Sequence, residues 1–421
     1  MLDIKLIRQN PDLVKKACEG KRIKVDLDLI LKLDEKRRKD IVVLEKLRAE
    51  KNKASKEIVA AKEKKEKQKI IARMKKTDKK EEALKKVFDK NEKKLKELLL
   101  GLPNVPEEGI PEGQDESKNV VLKEVGEKIK FDFKIKDYFE IAKNLDLIDT
   151  ERAAKISGTR FGFVKKQAAL LQFALINFTF DFLVKKGFIP IITPVMINPE
   201  MMLGTGHLSE RDFEEKYFIE KDNLYLAGSA EQPMVSMHSG EIFQEKDLPK
   251  RYVGYSTCFR REAGSYGKDT KGIFRVHQFD KVEMFSFCLP EKSKEEHKYF
   301  LSLQEELMGL LKLPYRVIHI CTGDLGFPAA AAYDIEAWLP GEGRYRETHT
   351  TFNDTDFQTR RLDIRYRKSQ DNKLEFVHAL NGTAFAIGRT LIAIIENYQQ
   401  KDGSVKIPDV LAKYLNFKEI K

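Results

Sequence analysis

TCFRREAGSYGKDTKGIFRVHQFDKVE, residues 257–283, is the stretch on which the reading of this chain turns. Its ends are strand-like: Tyr252–Arg260 leads in and Ile273–Phe287 leads out, with apolar residues interleaved among polar ones. Between them lies a polar loop carrying Gly264, Gly267 and Gly272 with Lys268 and Lys271. Such a hairpin puts Arg260 and Glu262 where the first strand ends, and Phe279 and Glu283 on the returning strand. A cation, an aromatic face and carboxylates can then share one sheet surface, which suits a nucleotide and an amine held side by side. Period-2 patterning by itself fits an ordinary charged hairpin as well, so the remaining sequence has to decide.

Size and charge bound the answer. With 421 residues, 41% hydrophobic and 10% aromatic, the chain can form two or three soluble domains, each with its own core. The formal charge is +11, and it is uneven: the first hundred residues carry +14 and the other 321 carry −3. A Lys-rich segment joined to a near-neutral body points to a polyanion partner at the N-terminal end, although a solvated helix surface has the same composition. Cys18, Cys258, Cys288 and Cys321 are far apart, with no CxxC pair and no Cys/His ligand spacing, which argues against a disulfide framework or a zinc site. The N-terminus lacks an apolar core of signal-peptide length, and no run approaches about 18 uninterrupted apolar residues. A reducing cytoplasm and no membrane contact are the expectation.

Toward the N-terminus, residues 1–24 predict a short helical lead-in with Pro11 near a helix start. From Ile30 a heptad runs through Leu33, Arg37, Asp40, Leu44, Leu47, Lys51, Ala54, Ile58 and Ala61, and a second returns through Leu84, Phe88, Asn91, Leu95, Leu98 and Leu102. The charged stretch Arg73–Lys80 is the expected reversal. Two antiparallel helices of about 35 residues would make an arm of roughly 50 Å. A dimerising coiled coil would show the same seam. Pro103, Pro106 and Pro111 in LGLPNVPEEGIPEGQDESKNV, residues 100–120, end the second helix.

Nearer the hairpin, a helix over Lys165–Lys185, Gly187 and the apolar run Phe188–Val195 with Pro190 and Pro194 predict a helix followed by an edge strand. LAGSAE, residues 226–231, offers the Ser229 hydroxyl and the Glu231 carboxylate, and Ser229 also reads as a helix N-cap. On the other side, Glu291–Leu311 is helical and Tyr315–Ile320 a strand. Asp334, Glu336 and Trp338 fall on a further strand, and ALNGTAFAIGRTLIAIIEN, residues 379–397, reads as a turn and then an amphipathic helix with Arg389 near its start.

Taken together, FRxEAGS with a basic loop and RxHQFxKVE resembles motif 2 of the class II aminoacyl-tRNA synthetases, in the wording of the seryl-tRNA synthetase family. The segments near 187–195 and 379–397 resemble motifs 1 and 3, and the LPNxP…IPxGxDExxNV order and CTGDLGFPAAAAYDIEAWLP resemble further segments of that family. The resemblance implies an α+β chain: an N-terminal antiparallel two-helix coiled-coil arm, residues 1–110, that binds tRNA, and a catalytic domain, residues 111–421, built on an antiparallel β-sheet flanked by helices. It implies serine–tRNA ligase activity with ATP and Mg²⁺, L-serine and tRNA(Ser) as substrates, tRNA(Sec) as a second candidate, a homodimer, and no DNA.

For catalysis the resemblance implies Arg260, Glu262 and Arg389. ATP contacts are implied at Arg260, Arg261, Glu262, Val276, Phe279, Glu347, Thr348, His349, Thr350 and Arg389, with Glu347 and Thr350 holding the Mg²⁺ that accompanies ATP. Serine contacts are implied at Ser229, Ala230, Glu231, Arg260, Glu283, Asn381 and Thr383. Arg suits phosphate and carboxylate because its planar fork is bidentate. The basic loop Ser265–Lys271 is expected to meet the tRNA 3′ end. One departure stands out: the usual E-x-S-S-C-S-N reads Glu347-Thr348-His349-Thr350-Thr351-Phe352-Asn353, placing His349 where a small hydroxyl residue is customary. A threonyl or prolyl enzyme would not combine this arm with HQFDKVE, and a carrier-protein ligase would lack the long basic arm. A silent RNA-binding paralogue would be expected to have lost some of these charged residues.

Overall fold

The computed structural model describes residues 1–208, 214–263, 269 and 271–421. The chain forms two compact units, Met1–Pro103 and Asn104–Lys421.

In the first unit, α1 (Ile4–Gln9) and α2 (Pro11–Gly20) precede two long helices, α3 (Leu27–Ala60) and α4 (Lys64–Leu100), of 34 and 37 residues. Asp3 caps α1 by accepting from the Lys5 amide at 2.8 Å, and Pro11 opens α2, where its missing N–H is not needed. Ile30, Leu44 and Ala54 of α3 and Ile70, Leu95 and Leu99 of α4 are buried. Ion pairs step inward from Arg37–Glu92 (2.7 Å) through Lys51–Glu81 (2.8 Å) to Glu57–Arg73, the order antiparallel helices require. Arg37 and Lys51, two of the residues that interrupt the apolar seam, therefore face carboxylates of the other helix. Such half-exposed, water-accessible pairs add little energy, but they discriminate between registers.

The reversal lies at Ala61–Glu63, not in the charged stretch Arg73–Lys80, which continues inside α4. Lys, Arg and Glu are good helix formers, so a run of charge there marks a solvated helix face rather than a turn. The chain breaks instead where Ala61 adopts an extended backbone, φ −68° and ψ 127°.

The second unit is built on eight strands: β1 (Val120–Val125), β2 (Ile189–Ile192), β3 (Lys250–Phe259), β4 (Gln278–Cys288), β5 (Tyr315–His319), β6 (Ala331–Leu339), β7 (Arg344–Thr355) and β8 (His378–Ala386). They lie side by side in the order β1-β5-β6-β7-β8-β4-β3-β2, antiparallel throughout except for the parallel β2–β3 pair at one edge. Three helices, α5 (Lys166–Lys185), α8 (Ser293–Leu310) and α10 (Ile387–Asn397), cover one face. Three short helices are used below: α6 (Pro199–Gly204) and α7 (Glu231–Ser236) between β2 and β3, and α9 (Phe357–Leu362) between β7 and β8.

The core joins Leu171, Leu175 and Phe178 of α5, Phe300 and Leu307 of α8 and Leu391–Ile395 of α10 to Val282, Met284, Ile335 and Phe385 of the sheet. Each such side chain, fully buried, contributes roughly 1.5–3 kcal/mol. Strand alternation then fixes the opposite face. With Val282 and Met284 turned to the helices, Phe279, Lys281 and Glu283 of β4 turn the other way.

Two expectations change here, at residues 379–386 and at His349. Residues 379–386 are not a turn but most of β8, paired with both β4 and β7. Asn381-Gly382 has the composition of a turn, yet Gly382 sits where a Cβ would come within 3.0 Å of Thr351 Oγ1; the glycine permits close strand packing. Helix α5 is long and apolar enough to cross a bilayer despite its Gln, Asn, Thr and Asp residues, and its buried side belongs to the domain core. His349 faces that same core, as described next. All four cysteines are buried and free. Of the basic loop, Gly264–Lys268 and Thr270 lie outside the described residues.

Candidate active site

On the sheet face opposite the helix layer lies a cleft of about 1090 Å³ whose walls include Arg260, Glu262, Val276, Phe279, Lys281, Glu347, Thr348, Thr350, Thr383 and Arg389. The placement follows from the strands. Arg260 directly follows β3, Phe279 and Lys281 come from β4, Glu347 and Thr350 from β7, Thr383 from β8, and Arg389 from the first turn of α10. The Arg260 Nε donates to the Gly228 carbonyl at 3.1 Å, and its guanidinium lies 5.3 Å from the Phe279 ring centre. Arg389 is aimed into the cleft by Glu347, donating to its carbonyl at 3.1 Å and pairing with its Oε1 at 3.0 Å.

Glu262 adopts φ +54°, a left-handed backbone that a non-glycine residue rarely holds. Its carboxylate takes a 2.9 Å bond from Arg275. Arg275 and Arg346 also line the cleft, and Arg346 lies 3.7 Å over Phe274 while bonding Asp269 at 2.7 Å. The cleft is thus a concentration of guanidinium groups around aromatic faces, an arrangement that binds polyphosphate and a flat base.

Lys281 and Thr383 lead to a second, buried cluster. The Ser229 hydroxyl donates to Glu283 Oε2 at 2.9 Å and accepts from the Glu231 amide at 3.2 Å. The Lys281 ammonium pairs with Glu283 and donates to Ser229 Oγ at 3.3 Å. Thr383 is the cross-strand partner of Glu283. Burial pushes the Glu283 carboxyl up, and Lys281 opposes this without cancelling it. Burial would raise Glu231 too, but His207, Gln358 and Lys281 outweigh it and hold that carboxyl well below the usual range.

Other sequence-derived candidates fall elsewhere. Arg261 lies 5.9 Å over the Tyr217 ring, and its amide donates to the Glu215 carbonyl. Ala230 packs in the cluster of Met234, Val235 and Phe285. Asn381 is buried and donates to Asp354 at 3.1 Å, on the sheet face that also carries Thr383. His349, 1% exposed, turns its ring to Phe385 at 5.4 Å and bonds Thr348 Oγ1 at 2.8 Å. Burial pushes this imidazole down to about 3, so it is neutral. The ATP contact expected of His349 is therefore withdrawn: its position on β7 points into the apolar layer, where a neutral ring replaces a small side chain. Sequence reading missed Arg275, Lys281, Arg346, His207 and Gln358. Arg275 and Lys281 stand inside the opening stretch, and their alternation with Phe279 and Glu283 was the available signal. His207 and Gln358 carry none, being brought in by the loop after α6 and by α9.

A family model described as tRNA synthetase class II core domain (G, H, P, S and T) matches residues 214–398. The sheet order and the arginine-lined cleft are those of a class II aminoacyl-tRNA synthetase. A second model, the seryl-tRNA synthetase N-terminal domain, matches residues 1–106. Serine–tRNA ligases of Thermotoga petrophila and Thermodesulfovibrio yellowstonii are 48% and 44% identical to this chain, each covered over 100% of both sequences. The crystal structure of seryl-tRNA synthetase from Pyrococcus horikoshii complexed with ATP superposes with a TM-score of 0.93 at 42% identity, covering 100% of this chain and 99% of that one. Prolyl-tRNA synthetase of Giardia lamblia, 18% identical with a TM-score of 0.57, shares the fold alone. The chain belongs to the seryl-tRNA synthetase family.

Proposed function

We infer that the protein is a serine–tRNA ligase that activates L-serine with ATP to seryl-adenylate and pyrophosphate, then transfers serine to the 3′ end of tRNA(Ser). The observation that carries this reading is the juxtaposition of the arginine-lined cleft with the buried Ser229–Glu283–Thr383 cluster. In the first step a serine carboxylate oxygen bonds to the α-phosphorus as the bond from that phosphorus to the bridging oxygen breaks, and pyrophosphate leaves with the electron pair. Charge develops on phosphate oxygens, so fixed cations do most of the work. Arg260 holds the α-phosphate and the serine carboxylate. Arg389 reaches the γ-phosphate and covers the adenine from the side opposite Phe279.

Glu283 and Thr383 receive the serine hydroxyl, and Ser229 and Glu231 take part in holding the ammonium end. A site that hydrogen-bonds a hydroxyl rejects alanine and glycine because its own buried groups would otherwise go unpaired. Magnesium fits beside them: Glu347 and Thr350 offer oxygen ligands, and Asp334 Oδ1, across the strand from Thr350, is buried without a hydrogen-bond partner among the described residues. Bound there, the ion would neutralise phosphate charge, taking its remaining ligands from water and phosphate. ATP–pyrophosphate exchange without tRNA tests the assignment. Serine should support exchange; threonine, alanine and glycine should not, and exchange with one of these in place of serine would overturn it.

We further propose that the basic unit, Met1–Pro103, grips the tRNA body through phosphate contacts and shape, and that Asn104–Lys421 forms the catalytic domain, a boundary a few residues before the 110/111 division expected from sequence. Lys75, Lys76, Lys79 and Lys80 are exposed on α4. Changing all four to Glu is expected to raise the KM for tRNA at least about tenfold, with a shallower salt dependence. Exchange without tRNA should be unaffected, and an unchanged tRNA KM would refute this role. Phe173 and Val184 of α5 and Ile189 and Ile192 of edge strand β2 are exposed apolar residues, Ile192 at 82%; a second copy of the chain is proposed to cover them. Sedimentation at micromolar concentration is the check. Four buried, unpaired cysteines fit a reducing cytoplasm.

A further inference from the structure

We propose that His207 is a positioning residue that orients the Glu231 carboxylate for the amino acid's ammonium group, and that protonating this one imidazole weakens serine binding. The inference rests on the reading of the buried cluster as the serine site. Its geometry is local. Glu231 is 6% exposed at the start of α7, and two donors from different parts of the chain converge on its Oε1. Gln358 Nε2, on α9, lies at 2.7 Å, and His207 Nε2, three residues beyond α6, lies at 3.2 Å. Gln358 also holds the Thr205 carbonyl at 3.0 Å, tying the His207 segment to the same helix.

The charges facing this carboxylate can be named element by element. Lys281 of β4 contributes a positive charge, but its ammonium is engaged by Glu283. Glu283 on the same strand is negative when ionised. Arg361 of α9 lies 4.4 Å over Phe357 and donates to the Leu203 carbonyl. Gln358 and Ser229 are neutral. Among the described residues, His207 is therefore the facing group whose type changes charge between pH 5 and 8. Its side chain is 24% exposed, so protons can reach it.

Two protonation states act differently. A neutral ring donates Nε2–H to Oε1 and fixes the carboxylate without satisfying its charge. A protonated ring forms an ion pair with Glu231, competing with the substrate ammonium for the same negative charge. Serine affinity should thus fall as pH falls, whereas ATP, held by the arginine cleft, should bind unchanged. Glutamine at position 207 can keep a hydrogen bond but cannot take up a proton.

The test is ATP–pyrophosphate exchange at saturating ATP with serine varied, from about pH 8 to about pH 6, on the full chain and on His207→Gln, with melting temperature recorded for each. The expected result is a rise in the serine KM of about threefold to tenfold over that range, one pKa unit of coupling being a factor of ten. The KM for ATP should stay flat, and H207Q should lose the serine slope. A flat serine KM in the unsubstituted enzyme overturns the proposal. So does a slope surviving unaltered in H207Q, which would belong to Glu283. Should H207Q fail to fold, H207N provides the same comparison. Absence of serine-dependent exchange at every pH would instead refute the serine reading itself.

Discussion

Arg260→Ala is expected to lower serine-dependent ATP–pyrophosphate exchange by about 10³-fold, the scale for removing one fixed donor to developing negative charge. Among the described residues the side chain makes one hydrogen bond, to the Gly228 carbonyl at 3.1 Å, and otherwise lies against Phe279 in the open cleft. Little of the core depends on it, so the melting temperature should hardly move. Arg260→Lys should recover only a small part of the rate, because an ammonium cannot bridge a phosphate and a carboxylate with a planar fork. The loss should appear in kcat more than in the KM for either substrate, since the charge being stabilised belongs to the transition state. An alanine variant that retained full exchange would remove Arg260 from the mechanism.

Glu283→Gln is expected to cost both activity and stability, and a second substitution separates the two. Glu283 is 1% exposed and balances the Lys281 ammonium, while accepting the Ser229 hydroxyl at 2.9 Å. Removing its charge strands Lys281 in a largely buried setting, and breaking a buried pair from one side costs about 3–5 kcal/mol. The serine kcat/KM should fall at least about 10³-fold as hydroxyl recognition is lost. In the double variant Glu283→Gln with Lys281→Met, the stranded charge is gone. Its melting temperature should return toward that of the unsubstituted protein while exchange remains absent. If exchange also returned, Glu283 would be a structural partner of Lys281 and not a serine ligand.

The route from residues to this site was uneven, for physical reasons that individual residues make plain. The opening hairpin could be read because strands alternate with period two: once one face of β4 is apolar, Phe279, Lys281 and Glu283 must share the other. Glu347 and Arg389 were reached through the family resemblance, and Arg389 also stands out as a charge at the start of an apolar helix. His349 misled because a bulge at Thr348 breaks the period-two alternation of β7, so that Glu347 and Thr350 line the cleft while His349 between them turns to the core.

By itself the sequence determined the two long arm helices, the placement of basic charge at the N-terminal end, the main strands, and the arginine, aromatic and carboxylate residues of the cleft. These are local properties: helical and strand periodicity, proline breaks, and the chemistry of individual side chains. Tertiary structure decided the arm's reversal at Ala61–Glu63, because charge reports solvent exposure as readily as it reports a turn. It made a strand of His378–Ala386, because pairing with β4 and β7 outweighs the turn preference of Asn381-Gly382. It also joined His207 and Gln358 to Glu231 from positions 24 residues before and 127 residues after it. Separations of that kind leave no periodic trace in a chain, and only packing can bring such residues to a single carboxylate.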